Sequence, residues 1–301
     1  MDPHRTDEFA LLFENAAELG LELPVPPTVR RVRAEHDGGH TSALLWGDVS
    51  PRLVLLHGGA QNAHTWDSVV LALGVPALAV DLPGHGHSSW RDDGDYSPWP
   101  NAEAVAHAVR RWAPRAEAVV GMSLGGLTAL RLGSLAPELV RRTVLVDVTP
   151  ASFRRHQGMA ENQRGTVALA AGPAVFDTFD EIVALTAAAA PHRSPSSIRR
   201  GVVHNTRQRS DGRWEWRYDR MRTMRDFTPL WDDLAALDGP VSLVRGGASA
   251  YVTDYMRKPE EDVDEARRRV PGLDVHVVPG SGHSVQSDAP RELAGILRDI
   301  L

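Results

Sequence analysis

From residue 52 onward the chain repeats one motif: a short, continuously apolar run followed by a stretch whose apolar positions recur every three or four residues. The runs are "RLVLLHG", "PALAVDL", "EAVVGMS", "RTVLVDV", "PVSLVRG" and "LDVHVVPG". Apolar runs without polar alternation suit strands buried on both faces of a parallel sheet. Their alternation with helical stretches suits right-handed βαβ units, so the expected class is α/β, with a doubly wound, mostly parallel central sheet. Ahead of this region, residues 8–19 place Phe9, Leu12, Phe13 and Ala16 at helical spacing and predict a packing helix. Alternation in "TVRRVRAE" and "TSALLWG" around "HDGGH" predicts a β-hairpin, with Gly38 and Gly39 expected at positive φ in its turn.

The strand rhythm stops between Thr149 and about Leu234, where helical stretches and an Arg/Trp-rich tract take over. This predicts a core of residues 1–149 and 235–301 and an inserted, mostly helical cap over 150–234. No period of 20 to 50 residues is visible, which excludes solenoids and propellers.

Composition narrows the chemistry. With 301 residues, 42% hydrophobic and 24% charged, the chain can bury a large core without disulfides or metals. Its formal charge of −6 argues against binding a phosphate backbone, so no nucleic-acid partner is expected. Lys258 is the single lysine and lies in the charged stretch "MRKPEEDVDEARRR", which excludes a Walker-A loop and a Schiff-base lysine. There is no cysteine, hence no thiol nucleophile, thiolate zinc site or iron–sulfur cluster. No apolar run approaches the ~18 residues of a membrane span and no secretory leader is evident, so no membrane partner and a cytoplasmic protein are expected.

The run "AVVGMSLGG" places Ser123 directly after an apolar strand, with Gly121 before it and Gly125 and Gly126 after, ahead of the helical pattern "LTALRLGSLA". A strand that reverses sharply into a helix strains the backbone at the serine and leaves room only for small residues beside it. With this elbow, "LLHGG" at 55–59, "DLPGHGHSS" at 81–89 and "GSGHS" at 280–284, the chain resembles the α/β-hydrolase superfamily, in particular its serine-nucleophile, cap-containing esterase-like and lipase-like members. The motifs occur in family order and span nearly all of the chain outside the cap.

The resemblance implies a serine hydrolase acting on a carboxylic ester or related acyl bond through an acyl-enzyme, without cofactor or metal. Ser123 would be the nucleophile and His283, after the last apolar strand, its base. The family commonly carries its acid shortly after the strand that follows the cap, but here that slot falls at Ser249 or Ala250. Asp147, at the end of "RTVLVDV", and Asp254, four residues past the slot, are the two candidate replacements. The family's oxyanion donors correspond to the N–H groups of Gly59 and Leu124. Met122 and the aromatic pair Trp214 and Trp216 are candidate pocket residues, the tryptophans having cap packing as the alternative. Asn62 is a candidate helix N-cap. The histidine pairs His36/His40 and His85/His87 lack a third ligand at suitable spacing, so they read as turn elements.

Carbon–carbon bond hydrolase, lactonase and thioesterase share this constellation. A small-molecule binder with a degenerate triad and a cofactor-free oxygenase or perhydrolase are further alternatives. The expected partner is a small-molecule acyl substrate. Neither its identity nor the oligomeric state is encoded in a readable pattern.

Overall fold

The computed structural model describes residues 7–151, 169, 172–223, 225–247 and 260–301. An eight-stranded sheet in the order β1-β2-β4-β3-β5-β6-β10-β11 forms its centre. The strands are β1 (Val29–His36), β2 (Gly39–Trp46), β3 (Leu53–Leu56), β4 (Ala77–Val80), β5 (Ala118–Met122), β6 (Thr143–Val146), β10 (Val241–Gly246) and β11 (Asp274–Val278). β1 and β2 pair antiparallel as a hairpin, and β2 pairs antiparallel with β4. From β4 to β11 every pairing is parallel. All six apolar runs are therefore strands of one sheet.

Continuous burial has a simple cause. Leu53 and Leu55 point to one face of β3, and Val54 and Leu56 to the other, all at 0% exposure. Helices α2 (Asp67–Leu73) and α9 (Pro290–Ile300) cover the first face, while α3 (Pro98–Trp112) and α4 (Leu124–Leu135) cover the second. Each such side chain contributes roughly 1.5–3 kcal/mol by leaving water, so a polar residue at an alternate position would be penalised on either face.

Two local expectations need correction. Helix α1 spans Leu12–Glu18 and buries Leu12, Asn15 and Ala16, whereas Phe13 is 44% exposed. Leu12 and Ala16 are buried and Phe9 packs against the core as spacing suggested, so only Phe13 leaves the expected stripe, with Asn15 taking a buried place instead. In the hairpin turn only Gly39 has positive φ, at 115°, because the reversal is completed at Asp37 and Gly38 without it.

Between the sixth and tenth strands the chain builds a second layer. It contains α5 (Phe179–Ala189), α6 (Pro195–Asn205) and a three-stranded antiparallel sheet of β7 (Val175–Phe176), β9 (Trp214–Trp216) and β8 (Thr206–Gln208). Its own small core joins Phe176, Ile182, Ile198, Val202, Trp214, Trp216 and Tyr218. After it, α7 (Leu230–Ala235) packs against α4 and α8 (Glu260–Arg269).

Candidate active site

The carboxyl ends of β3, β5, β6 and β11 open onto one cavity of about 840 Å³. In open parallel sheets this edge, near a reversal of strand order, is where ligands gather. Ser123 follows β5 and precedes α4 with φ 49° and ψ −117°, a conformation that costs a non-glycine residue of order 1–3 kcal/mol. The flanking glycines are steric necessities. A Cβ at Gly121 would stand 2.3 Å from Gly125 O, and one at Gly125 would stand 2.2 Å from Leu56 O.

Asp147 directly follows β6 and also has positive φ, 51°. Its N–H donates to Val244 O at 2.7 Å, and its Oδ1 accepts from Gly246 N–H at 3.2 Å, so β10 holds the residue at both ends. The other carboxylate oxygen, Oδ2, accepts from His283 Nδ1–H at 2.6 Å. With Nδ1 committed to Asp147, Nε2 of His283 is left as an acceptor. Ser123, Asp147 and His283 all border the cavity. Asp254 and the slot at residues 249–250 lie outside the described residues.

Beside the serine, residues 57–60 form a loop whose shape is held by two buried neutral histidines. His57 Nδ1–H donates to Gly58 O at 2.7 Å and its Nε2 accepts from Leu82 N–H at 2.9 Å. Burial pushes this imidazole down to about 3. His85 Nδ1–H donates to Pro83 O at 2.9 Å, while its Nε2 accepts from Ala60 N–H at 3.1 Å. Burial lowers His85 as well, which preserves the acceptor. Ala60 sits at φ 59°, and its carbonyl accepts from Asn205 Nδ2 at 2.8 Å, reaching over from the end of α6. Asn62 N-caps the next turn through His64 N–H, as expected, and its Nδ2 also donates to Asn205 Oδ1 at 3.1 Å.

Gly58 is the tight position of this loop. A Cβ there would lie 2.5 Å from Met122 Sδ and 3.3 Å from Ser123 Cβ, whereas one at Gly59 would meet nothing within 4 Å. Gly58 N–H is already taken by Gln61 Oε1 at 3.1 Å. Gly59, Leu124, Met122 and Trp216 border the cavity, together with Tyr218. Trp214 does not; it packs edge-on against Phe179 in the second layer's own core. Residues i and i+2 of one strand share a face, so the two tryptophans differ only in what covers that face: Trp216 reaches the cavity, and Trp214 meets Phe179. Sequence reasoning passed over the clamps on Ala60, although His85 lies within a motif it had singled out. Asn205 carried no local signal.

The model of the alpha/beta hydrolase family matches residues 53–296. The chain belongs to the α/β hydrolase family. Esterase Rv0045c of Mycobacterium tuberculosis is 56% identical over 296 residues, covering 98% of this chain and 96% of that one. A solved structure of that esterase, reported under transition metal inhibition and structural refinement, superimposes with a TM-score of 0.86 at 55% identity, covering 98% and 99% of the two chains. The mouse sn-1-specific diacylglycerol lipase ABHD11 is 27% identical over 276 residues, covering 86% and 83%.

Proposed function

We propose that this α/β hydrolase cleaves its substrate with Ser123 as nucleophile, His283 as general base and then acid, and Asp147 as the carboxylate that orients His283. That the chain is an ester-cleaving hydrolase follows from its near full-length likeness to a named esterase. The residue roles rest on one observation above all: the 2.6 Å contact of His283 Nδ1 with Asp147 Oδ2, beside a serine held at φ 49° on the same cavity. Serine attacks the ester carbonyl as His283 Nε2 takes its proton. The imidazolium returns that proton to the leaving alkoxide, and water repeats the sequence on the acyl-enzyme. The N–H groups of Gly59 and Leu124 meet the oxyanion, as preorganised donors that need no rearrangement during reaction.

In this reading residues 150–234 form a cap, with Trp216 and Tyr218 as its apolar wall, and the substrate is a small-molecule carboxylic ester. Working in the cytoplasm is part of the same proposal, with cell fractionation as its test. Sensitivity to transition metals is proposed by likeness to the M. tuberculosis esterase. A fluorophosphonate probe tests the triad: labelling at Ser123 is expected, abolished in His283→Ala and sharply reduced in Asp147→Asn. Labelling indifferent to Asp147→Asn but lost in Asp254→Asn would move the acid to Asp254. A panel of p-nitrophenyl esters, lactones and thioesters separates ester hydrolysis from its neighbours.

A further inference from the structure

Apart from the Ser123 group, the cavity wall carries a second set of reactive side chains that ester hydrolysis does not use. His64 lies on the turn Ala63–Trp66, and Asp67 opens α2 three residues later, so both project from one side of a helical turn. His204 arrives from α6, the residue before Asn205. One ligand atom from each of the three lies within 4.8 Å of the others. His64 Nδ1 is 2.8 Å from Asp67 Oδ2, and the two imidazoles stack at 3.7 Å between centroids. All three residues border the cavity.

Two donors in this group are unused. Asp67 is 1% exposed, and its Oδ1 has no hydrogen-bond partner, a costly condition for a buried carboxylate oxygen. Among the described residues His204 stacks on His64 and accepts or donates no hydrogen bond through its ring. Carboxylates flank the group: Glu8 reaches His64 Nε2 at 3.1 Å, and Arg31 pairs with Glu8 and Asp81.

We propose that His64, Asp67 and His204 form a binding site for a divalent transition metal of the zinc, nickel and copper class, bridging the sheet and the layer above it. Two imidazoles with one carboxylate are borderline donors that suit these ions over calcium or magnesium. Coordination through His64 Nδ1 releases the proton shared with Asp67, and a small rotation of one stacked ring brings both nitrogens to bear.

The metal acts as an inhibitor, because a ligand on α6 is next to Asn205, which holds Ala60 O. Drawing His204 toward His64 and Asp67 pulls on that bond and on the adjoining Gly59 peptide. Turnover falls, whereas substrate affinity changes little. This consequence rests on the oxyanion reading above; the site itself does not.

Equilibrium dialysis with Zn²⁺ tests the site without reference to catalysis. One ion per wild-type chain is expected, with affinity reduced about 100-fold in His204→Phe, which keeps the stacked ring and removes its nitrogens. Asp67→Asn is the second variant, with the same expectation, should either fold poorly. Inhibition of p-nitrophenyl ester hydrolysis by Zn²⁺, normalised to each variant's metal-free rate, is expected as a fall in kcat in the wild type and is lost in His204→Phe. No zinc uptake by the wild type, or equal uptake by both variants, overturns the site. Normal uptake with inhibition that persists in His204→Phe overturns the inhibitory route and places the inhibiting metal elsewhere, with His283 the first candidate.

Discussion

Two neighbouring ledges border the cavity, and they are held in different ways. On one, Ser123 N–H donates to Val146 O at 3.1 Å and Asp147 N–H to Val244 O at 2.7 Å, so each residue is fixed by the next strand of the sheet. On the other, the loop at 57–60 depends on side chains: Gln61 on Gly58, His85 on Ala60 N–H and Asn205 on Ala60 O. His85 lies 25 residues away and Asn205 lies 145 residues away. The Ser123 ledge is therefore tied to the sheet, whereas the ledge at 57–60 is tied in part to the layer above it.

Substitutions on the two ledges should differ in size and in kind. Ser123→Ala removes the attacking group, and kcat is expected to fall on the order of 10⁶-fold with ester binding retained, read by steady-state kinetics and ligand titration. Asp147→Asn keeps the shape but reverses the hydrogen-bond requirement at Nδ1 of His283; a loss of about 10⁴-fold in kcat is expected. A residual rate within tenfold of wild type in that variant would sink the assignment of Asp147. On the second ledge, His85→Phe removes the acceptor of Ala60 N–H while keeping an aromatic ring, and kcat should fall about 100-fold with KM nearly constant. Asn205→Ala frees only the carbonyl end of the same peptide, and about a tenfold loss is expected, again in kcat. Equal losses in kcat and gains in KM for this pair would mean that they shape the pocket and not the loop.

The smallest effect concerns stability and pH. His57 is held near 3, well under its ordinary 6.5, and burial also pushes His87 down to about 4 and lowers His85. The unfolded chain takes up protons at these sites first as pH falls below 6.5. Their contribution to stability is thus complete above 6.5 and declines progressively as pH drops toward 3. The Tm should fall over pH 6 to 4 in calorimetry, and His57→Gln should flatten that slope even if it lowers the Tm at pH 7.

Much of the Ser123 ledge was legible in the chain. Ser123 was marked by glycines that the backbone demands, Asp147 by its place at the end of an apolar run, and His283 by the small-residue loop after the last strand. Such signals are local, because a strand end is written by a few neighbouring residues. The neighbouring ledge was legible only as "HGG". Its clamps come from residues brought near by the sheet order and by α6, and nothing around Asn205 or His204 announces a partner more than a hundred positions earlier. Trp214 and Trp216 make the same point on a smaller scale: equal in type and two apart, they were indistinguishable until the neighbours of β9 assigned one to the cavity and the other to Phe179.

By itself, then, the order of amino acids determined a parallel sheet and its strand ends, with Ser123 at the tight reversal, and left the acid open between Asp147 and Asp254, since burial on both faces and tight reversals are requirements of a few consecutive positions. Tertiary structure alone decided which carbonyls and imidazoles meet across the cavity. Hydrogen bonds reach only about 3 Å, and whether two groups far apart in the chain come that close is set by the packing of whole layers.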